Sequence, residues 1–227
     1  MLYLVPTPIG NLDDITYRAI KILGSVDYIL AEDTRTAQSL LQHYGLTKDI
    51  RSYHDHNEHG RLPSILDDLS SGKNIALVSE AGMPGISDPG FLLVRACREA
   101  LIDVCALPGA TAFVPALVAS GLPADKFFFQ GFLPQKKGRQ TQLKWLATLP
   151  CTIIIYEAPH RVEKLLTECI NTFGEERLAC FVKEISKMFE KYICGTLAEI
   201  KVKLESEKIL GEWVVIIGPP NHKREED

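Results

Sequence analysis

The chain has 227 residues, of which 46% are hydrophobic and 24% charged, a mix that excludes long disorder as the main state. Its formal net charge of −4 excludes a generally basic nucleic-acid coat, so any RNA contact must be a local patch. No apolar run approaches the roughly 18 residues of a membrane span. Short β-rich runs predict strands over 2–5, 26–30, 74–79, 103–107, 126–130, 151–156, 178–182 and 213–217. Amphipathic stretches between them predict helices over 15–23, 36–44, 61–69, 91–100, 111–120, 139–149, 161–173 and 197–207. Asp13 and Asp14 are expected to cap the first helix, while Gly45 and Gly72 are expected to stop the second and third. Strand–helix alternation of this kind implies an α/β fold with a largely parallel sheet in the first half.

The Ser120-Gly121-Leu122-Pro123-Ala124-Asp125 segment is the expected boundary between an N-terminal α/β domain (1–120) and a C-terminal one (121–227). The charged end, His222 to Asp227, is expected to fray. The N-terminus lacks a basic region before its short apolar stretch, which argues against a signal peptide and for a cytoplasmic protein. None of the 6 cysteines forms a Cys-x-x-Cys unit, so all are expected to be reduced, several as small buried hydrophobes. Gly-x-Gly occurs nowhere, and there is no P-loop, His-Glu-x-x-His or Gly-x-Ser-x-Gly. Dinucleotide folds, nucleotide hydrolases, zinc proteases and serine hydrolases all lose support.

Ligands of parallel sheets bind beyond the carboxyl ends of the strands. The segments there are Pro6-Thr7-Pro8-Ile9-Gly10-Asn11, Glu32-Asp33-Thr34-Arg35, the loop 80–90, Pro108-Gly109-Ala110-Thr111-Ala112 and Glu157-Ala158-Pro159-His160-Arg161. Residues 82–90 alone hold three glycines, two prolines and an aspartate. Glycine allows close backbone approach and proline stiffens, so a rigid binding cleft for a flat polar molecule is the expectation.

Taken in order, Pro6 to Leu12, Glu32 to Arg35, His54-Asp55-His56-Asn57-Glu58, Ile86-Ser87-Asp88-Pro89-Gly90, Gly131-Phe132-Leu133-Pro134 and Tyr156-Glu157 with His160-Arg161 resemble the bacterial 16S ribosomal RNA (cytidine-2′-O)-methyltransferase family, a branch of the tetrapyrrole methylase superfamily. The resemblance runs from Leu2 to about Gly218. It implies a two-domain fold with a largely parallel N-terminal sheet, a mixed C-terminal sheet and a cleft between them that holds S-adenosylmethionine. By position, Pro8, Ala81, Gly82, Met83, Ile86, Ser87, Asp88, Thr111, Ala112 and Tyr156 would line the cofactor. It also implies 16S rRNA or the small ribosomal subunit as substrate, a homodimer, and no membrane. Glu80 and Met83 stand where an aspartate and a threonine are expected, and Lys183 to Lys187 replaces an Arg-Glu-Leu-Thr-Lys segment. Many members also continue well past the Gly211-Glu212-Trp213-Val214 strand, so a weaker grip on RNA is expected of this chain.

Methyl transfer to a ribose hydroxyl calls for a proton acceptor and a cation that stabilises the developing alkoxide. Glu184 or Glu32 is expected to be the acceptor, with Arg35 and Lys183 as electrostatic partners. Substrate contacts are expected from His56, Asn57, Lys136, Lys137, Arg139 and Arg161, with Lys144 and Trp145 nearby. The His54–His59 cluster looks like a ligand set, but the chemistry needs no metal and none is expected. Two other readings remain open from residues alone: a related methylase acting on a tetrapyrrole or other small molecule, and a non-catalytic ribosome-associating module.

Overall fold

A computed structural model describes residues 1–220, so the expectation for His222 to Asp227 lies outside the described residues. The chain divides into two compact units, Met1–Thr111 and one that begins at Ala112.

The first unit runs β1 (Leu2–Leu4), α1 (Tyr17–Ser25), β2 (Tyr28–Ala31), α2 (Thr34–His43), β3 (Ile50–Ser52), α3 (Glu58–Ser70), β4 (Ile75–Val78), α4 (Phe91–Glu99) and β5 (Val104–Ala106). Its five strands form an all-parallel sheet in the order β3-β2-β4-β1-β5. Side chains alternate across the pleat. Ile29, Ala31, Ala76 and Val78 pack on Ala19 and Leu23 of α1 and Ala37 and Leu41 of α2. Tyr28, Leu30, Ile75 and Leu77 pack on Ile65 and Leu69 of α3 and Leu93 and Cys97 of α4. Crossovers toward β3 therefore run on one face and crossovers toward β5 on the other, as right-handed connections require. The neighbours β1 and β4 thus send their following chains to opposite faces, which opens a crevice at their carboxyl ends.

Local starts differ from expectation. Asp13 and Asp14 lie in a 3₁₀ turn capped by Asn11, and α1 is capped instead by Thr16, whose hydroxyl accepts from Ala19 N–H. α2 begins two residues before its expected start because the Asp33 carboxylate accepts from Arg35 N–H at 2.8 Å. The strand β3 was hidden by its brevity, since Ile50-Arg51-Ser52 is too short for alternation to show.

The second unit contains α5 (Phe113–Ala119), β6 (Phe127–Phe132), α6 (Arg139–Leu146), β7 (Thr152–Glu157), α7 (Val162–Phe173), β8 (Leu178–Lys183), β9 (Lys191–Thr196), α8 (Leu197–Leu204) and β10 (Trp213–Ile217). The division falls before the Ser120-to-Asp125 segment because α5 packs against β10. The sheet is mixed, in the order β6-β7-β10-β8-β9, with only β6 and β7 parallel. Ile153, Ile155, Phe181, Trp213 and Val215 form one core with Leu143 and Leu146 of α6, Val162, Leu165 and Cys169 of α7, and Leu197 and Ile200 of α8. The expectation of uniformly reduced cysteines is corrected at one pair. The β8/β9 register sets Cys180 opposite Cys194, and a disulfide joins them. Cys97, Cys105, Cys151 and Cys169 are free. Among the described residues, no helix is long and apolar enough to cross a membrane.

Arg139 does not belong to an exposed basic patch. Its side chain is 3% exposed and bridges two carboxylates, Nη2 to Glu157 at 2.8 Å and Nε to Glu168 at 2.7 Å. Nη1 also donates to the Pro134 carbonyl at 3.4 Å, which pins the base of the 134–138 loop. Burial alone would lower the guanidinium pKa, but hydrogen bonds and charge from Glu168 and Glu157 outweigh it and raise it. Removing Arg139 leaves Glu168 desolvated without a counter-charge and Glu157 with Arg161 alone. Arg139→Ala is therefore expected to lower unfolding free energy by about 3–5 kcal/mol in urea titrations, while Lys137→Ala stays within about 0.5 kcal/mol of wild type. A loss under about 1 kcal/mol for Arg139→Ala would contradict this reading of the network.

Candidate functional site

The loops that follow β1, β4 and β5 are tied together at the carboxyl edge of the first sheet. Thr7 N–H donates to the Gly82 carbonyl at 3.0 Å, and Gly82 N–H donates back to Thr7 at 2.9 Å. The Ser79 hydroxyl donates to the same Gly82 carbonyl at 3.1 Å. Gly82 sits at φ +81, where a Cβ would stand 3.3 Å from Ile9 Cγ2, and 3.6 Å from the Ala110 carbonyl. A Cβ on Gly109 would come within 2.8 Å of Pro6 Cβ, so the chain after β5 passes directly against the chain after β1. Pro8, Ala81, Gly82, Met83, Ile86, Ser87, Asp88 and Thr111 all lie in these linked loops. Ser87 has φ +62, an unusual backbone for a non-glycine residue. Ala112 and Tyr156 belong to the second unit, where Tyr156 meets Phe129 and Phe132 at ring distances of 5.1 and 5.7 Å.

Acids gather at the same edge. Burial, then the charges of Glu32 and Glu80, push the Asp88 carboxyl up to about 6, against a hydrogen bond from Ser79. Burial, then Glu80 and Asp55, raise Glu32, with His54 opposing. The mutual effects mean that Glu32, Asp55, Glu80 and Asp88 share one field, which Arg35 and His54 only border. Such a field favours a cationic ligand and disfavours an anionic one. Sequence reasoning named Glu32 and Asp88 separately and missed the group. Glu80 and Asp55 follow strands on either side of β2, a relation visible only once β3 is recognised.

The loop after β3 is internally scaffolded. Asn57 Oδ1 accepts from His54 N–H at 2.9 Å, and its amide nitrogen lies 3.1 Å from both Ser52 Oγ and His54 Nε2. Asn57 is thus committed to holding the loop, whereas His56 is exposed beside it. The Arg35 side chain is 91% exposed and paired with Asp33 at 2.7 Å. Hydrogen bonds from the Arg35 side chain and backbone hold the Asp33 carboxyl down at about 2. Among the described residues, no group of three or more His, Cys, Asp or Glu could hold a metal ion.

In the second unit, Glu184 is engaged rather than free. Its Oε1 accepts from Glu212 N–H at 2.9 Å and from Lys187 Nζ at 3.0 Å. Burial would raise its pKa, but these bonds with the Lys187 and Lys183 charges bring it below the usual carboxylate range. Lys183 Nζ donates to the Lys208 carbonyl at 2.7 Å. Arg161 pairs with buried Glu157 at 2.8 Å. Lys136 and Lys137 are exposed and make no ion pair among the described residues. Gly211, at φ +75, leaves the seat that Glu184 fills, for a Cβ there would lie 2.3 Å from Glu184 Cδ. Gly211→Ala is therefore expected to destabilise the fold by about 1–3 kcal/mol in chemical denaturation. Unaltered stability would show that Glu184 is not locked in this seat.

The model for Tetrapyrrole (Corrin/Porphyrin) Methylases matches residues 1–201. The chain is 50% identical over 218 residues to ribosomal RNA small subunit methyltransferase I of Synechocystis sp., covering 96% of this chain and 78% of that protein. It is 46% identical over 229 residues to the protein of the same name from Escherichia coli O157:H7, covering 100% and 79%. Among solved structures, diphthine synthase aligns with a TM-score of 0.73 at 15% identity, over 96% of this chain and 89% of that one. Uroporphyrin-III C-methyltransferase from Thermus thermophilus, solved with S-adenosyl homocysteine, aligns at 0.64 and 20% identity over 96% of each chain.

Proposed function

Because the chain belongs to the tetrapyrrole methylases and, within them, to the ribosomal RNA small subunit methyltransferase I family, we propose that it methylates the 2′-oxygen of a cytidine ribose in small-subunit (16S) rRNA, using S-adenosylmethionine. The observation that carries the cofactor is the acidic edge beside the Thr7–Gly82 tie. Burial, and after it the charges of the neighbouring carboxylates, raise Asp88 and Glu32, and a ligand bearing a sulfonium and an ammonium would offset both. Gly82, Gly85 and the backbone of Ala110–Thr111 would meet its polar edges, with Pro8 beneath. The cofactor supplies an activated methyl group, so the protein's part is to place the acceptor oxygen and take its proton.

Glu32 is the better acceptor of the two acids. Its carboxyl is shifted toward the working pH, whereas Glu184 is held ionised and hydrogen-bonded. Arg35 is the exposed cation on the same unit, free at its outer edge to meet a phosphate or a developing alkoxide. Lys183, Glu184 and Arg161 serve by holding their own loops. His56, Lys136 and Lys137 supply substrate contacts. A cytoplasmic homodimer acting on rRNA or on the assembled small subunit completes the proposal.

Labelled methyl groups from S-adenosylmethionine should enter small-subunit RNA from cells that lack this chain, at a 2′-O position mapped by resistance to alkaline cleavage. Absence of label from RNA would refute the substrate. In that assay, at saturating cofactor, Glu32→Gln is expected to lower turnover by about 10²–10⁴-fold and Glu184→Gln by less than about tenfold. The reverse ranking would exchange their roles.

Cofactor affinity should also depend on pH. A cationic ligand favours the ionised form of Asp88, so binding is strong above its titration near 6 and weakens as pH falls through that range. Calorimetry from pH 7.5 to 5 should show a several-fold loss for S-adenosylmethionine. The loss should be smaller for S-adenosylhomocysteine, which lacks the sulfonium charge. A flat profile for both would remove the electrostatic argument.

A further inference from the structure

We propose that Trp145 is a base-stacking platform for single-stranded RNA, resting on the rRNA reading above. Trp145 is 44% exposed although it is the second-last residue of α6 and surrounded by regular structure. It packs edge-to-face with Phe128 of β6 at 5.2 Å and 81°. That contact fixes the ring from one side and leaves part of the residue open to solvent. Its indole N–H makes no hydrogen bond among the described residues.

The surroundings favour a polyanion. Lys144 lies next to it on the exposed face of α6, while Lys136 and Lys137 project from the loop that enters the same helix. None of the three makes an ion pair among the described residues. What sets these three apart is not the missing pairing, since exposed Lys126, Lys164, Lys201 and Lys208 also make no ion pair among the described residues, but their place beside an exposed aromatic ring. The loop is also fixed in place. Buried Arg139 ties its base to Glu157, Glu168 and the Pro134 carbonyl, and Gly138 turns it into the helix at φ +85. At 1.5 Å per residue, Trp145 lies about 9 Å along the axis from Arg139. Cations at one end of a short helix and an open aromatic ring at the other are the two elements of single-strand recognition: a charged track for the backbone and a π-face for a base. A duplex offers phosphates but no open base face, and an acidic protein surface offers no stacking partner.

The test uses the full chain saturated with S-adenosylhomocysteine and a fluorescein-labelled, mixed-sequence 12-nucleotide RNA, with a duplex of equal length for comparison. The chain has two tryptophans, and the other, Trp213, is buried. Binding of the single strand should therefore quench emission in wild type, and the quench should vanish in Trp145→Phe. Trp145→Ala should weaken binding about 5- to 100-fold, with its salt dependence unchanged. Trp145→Phe should restore most of the affinity. Replacing Lys136, Lys137 and Lys144 by alanine should instead flatten the salt dependence. The proposal is overturned if Trp145→Ala binds the single strand within twofold of wild type, or if the single strand leaves wild-type emission unquenched. It is also overturned if the duplex suffers the same penalty, or if light scattering shows that Trp145→Ala changes the oligomeric state. Absence of methyl transfer to rRNA by wild type would count against the enzymatic reading, and the quench would still decide the stacking one.

Discussion

Two backbone hydrogen bonds between Thr7 and Gly82 hold together loops that leave neighbouring strands toward opposite faces of the first sheet. Right-handed crossovers force those departures, so β1 and β4 part at their carboxyl ends, and without a tie the crevice would have no fixed floor. The pairing needs Gly82 at positive φ with Ile9 and Ala110 close by, and it needs Gly109 bare against Pro6. The glycines and prolines that stand out in the chain are therefore the residues that let three loops approach within van der Waals distance. Side chains deliver the charge around this floor, and the backbone delivers its shape.

The electrostatics of the two units differ in kind. At the carboxyl edge of the first sheet, burial and then the charges of neighbouring carboxylates shift Asp88 and Glu32 upward. In the second, charge is compensated. Arg139 neutralises Glu157 and Glu168 in the interior, and Lys187 bridges Glu184 and Glu212 near the surface. Uncompensated charge is costly to keep and is most readily explained by a ligand that completes it. Compensated charge fixes loops. This distinction separates Glu32 from Glu184, two acids that the chain alone presents as equivalent.

Much of the fold was legible in the sequence, because buried parallel strands are short apolar runs and the helices between them carry clear stripes. The mixed second sheet was less so. β9 carries Gly195 and a lysine start, and β3 spans three residues. The linked loops of the first unit stood out in the sequence because their composition is extreme. What the sequence could not show was burial. Arg139 follows Lys136, Lys137 and Gly138 and looks like one more exposed cation, yet its side chain turns inward to two carboxylates separated from it by 18 and 29 residues. The Cys180–Cys194 bond was hidden for a similar reason, since strand register rather than spacing brings the pair together.

The claim on which the rest stands is that the linked loops of the first unit hold the methyl donor. Backbone amide NMR of the isotopically labelled chain, titrated with S-adenosylmethionine, tests it most directly. Saturable shifts should concentrate at Thr7, Ala81, Gly82, Gly85, Asp88, Ala110 and Thr111. Saturable shifts that bypass these amides, or a spectrum that does not respond, would contradict it.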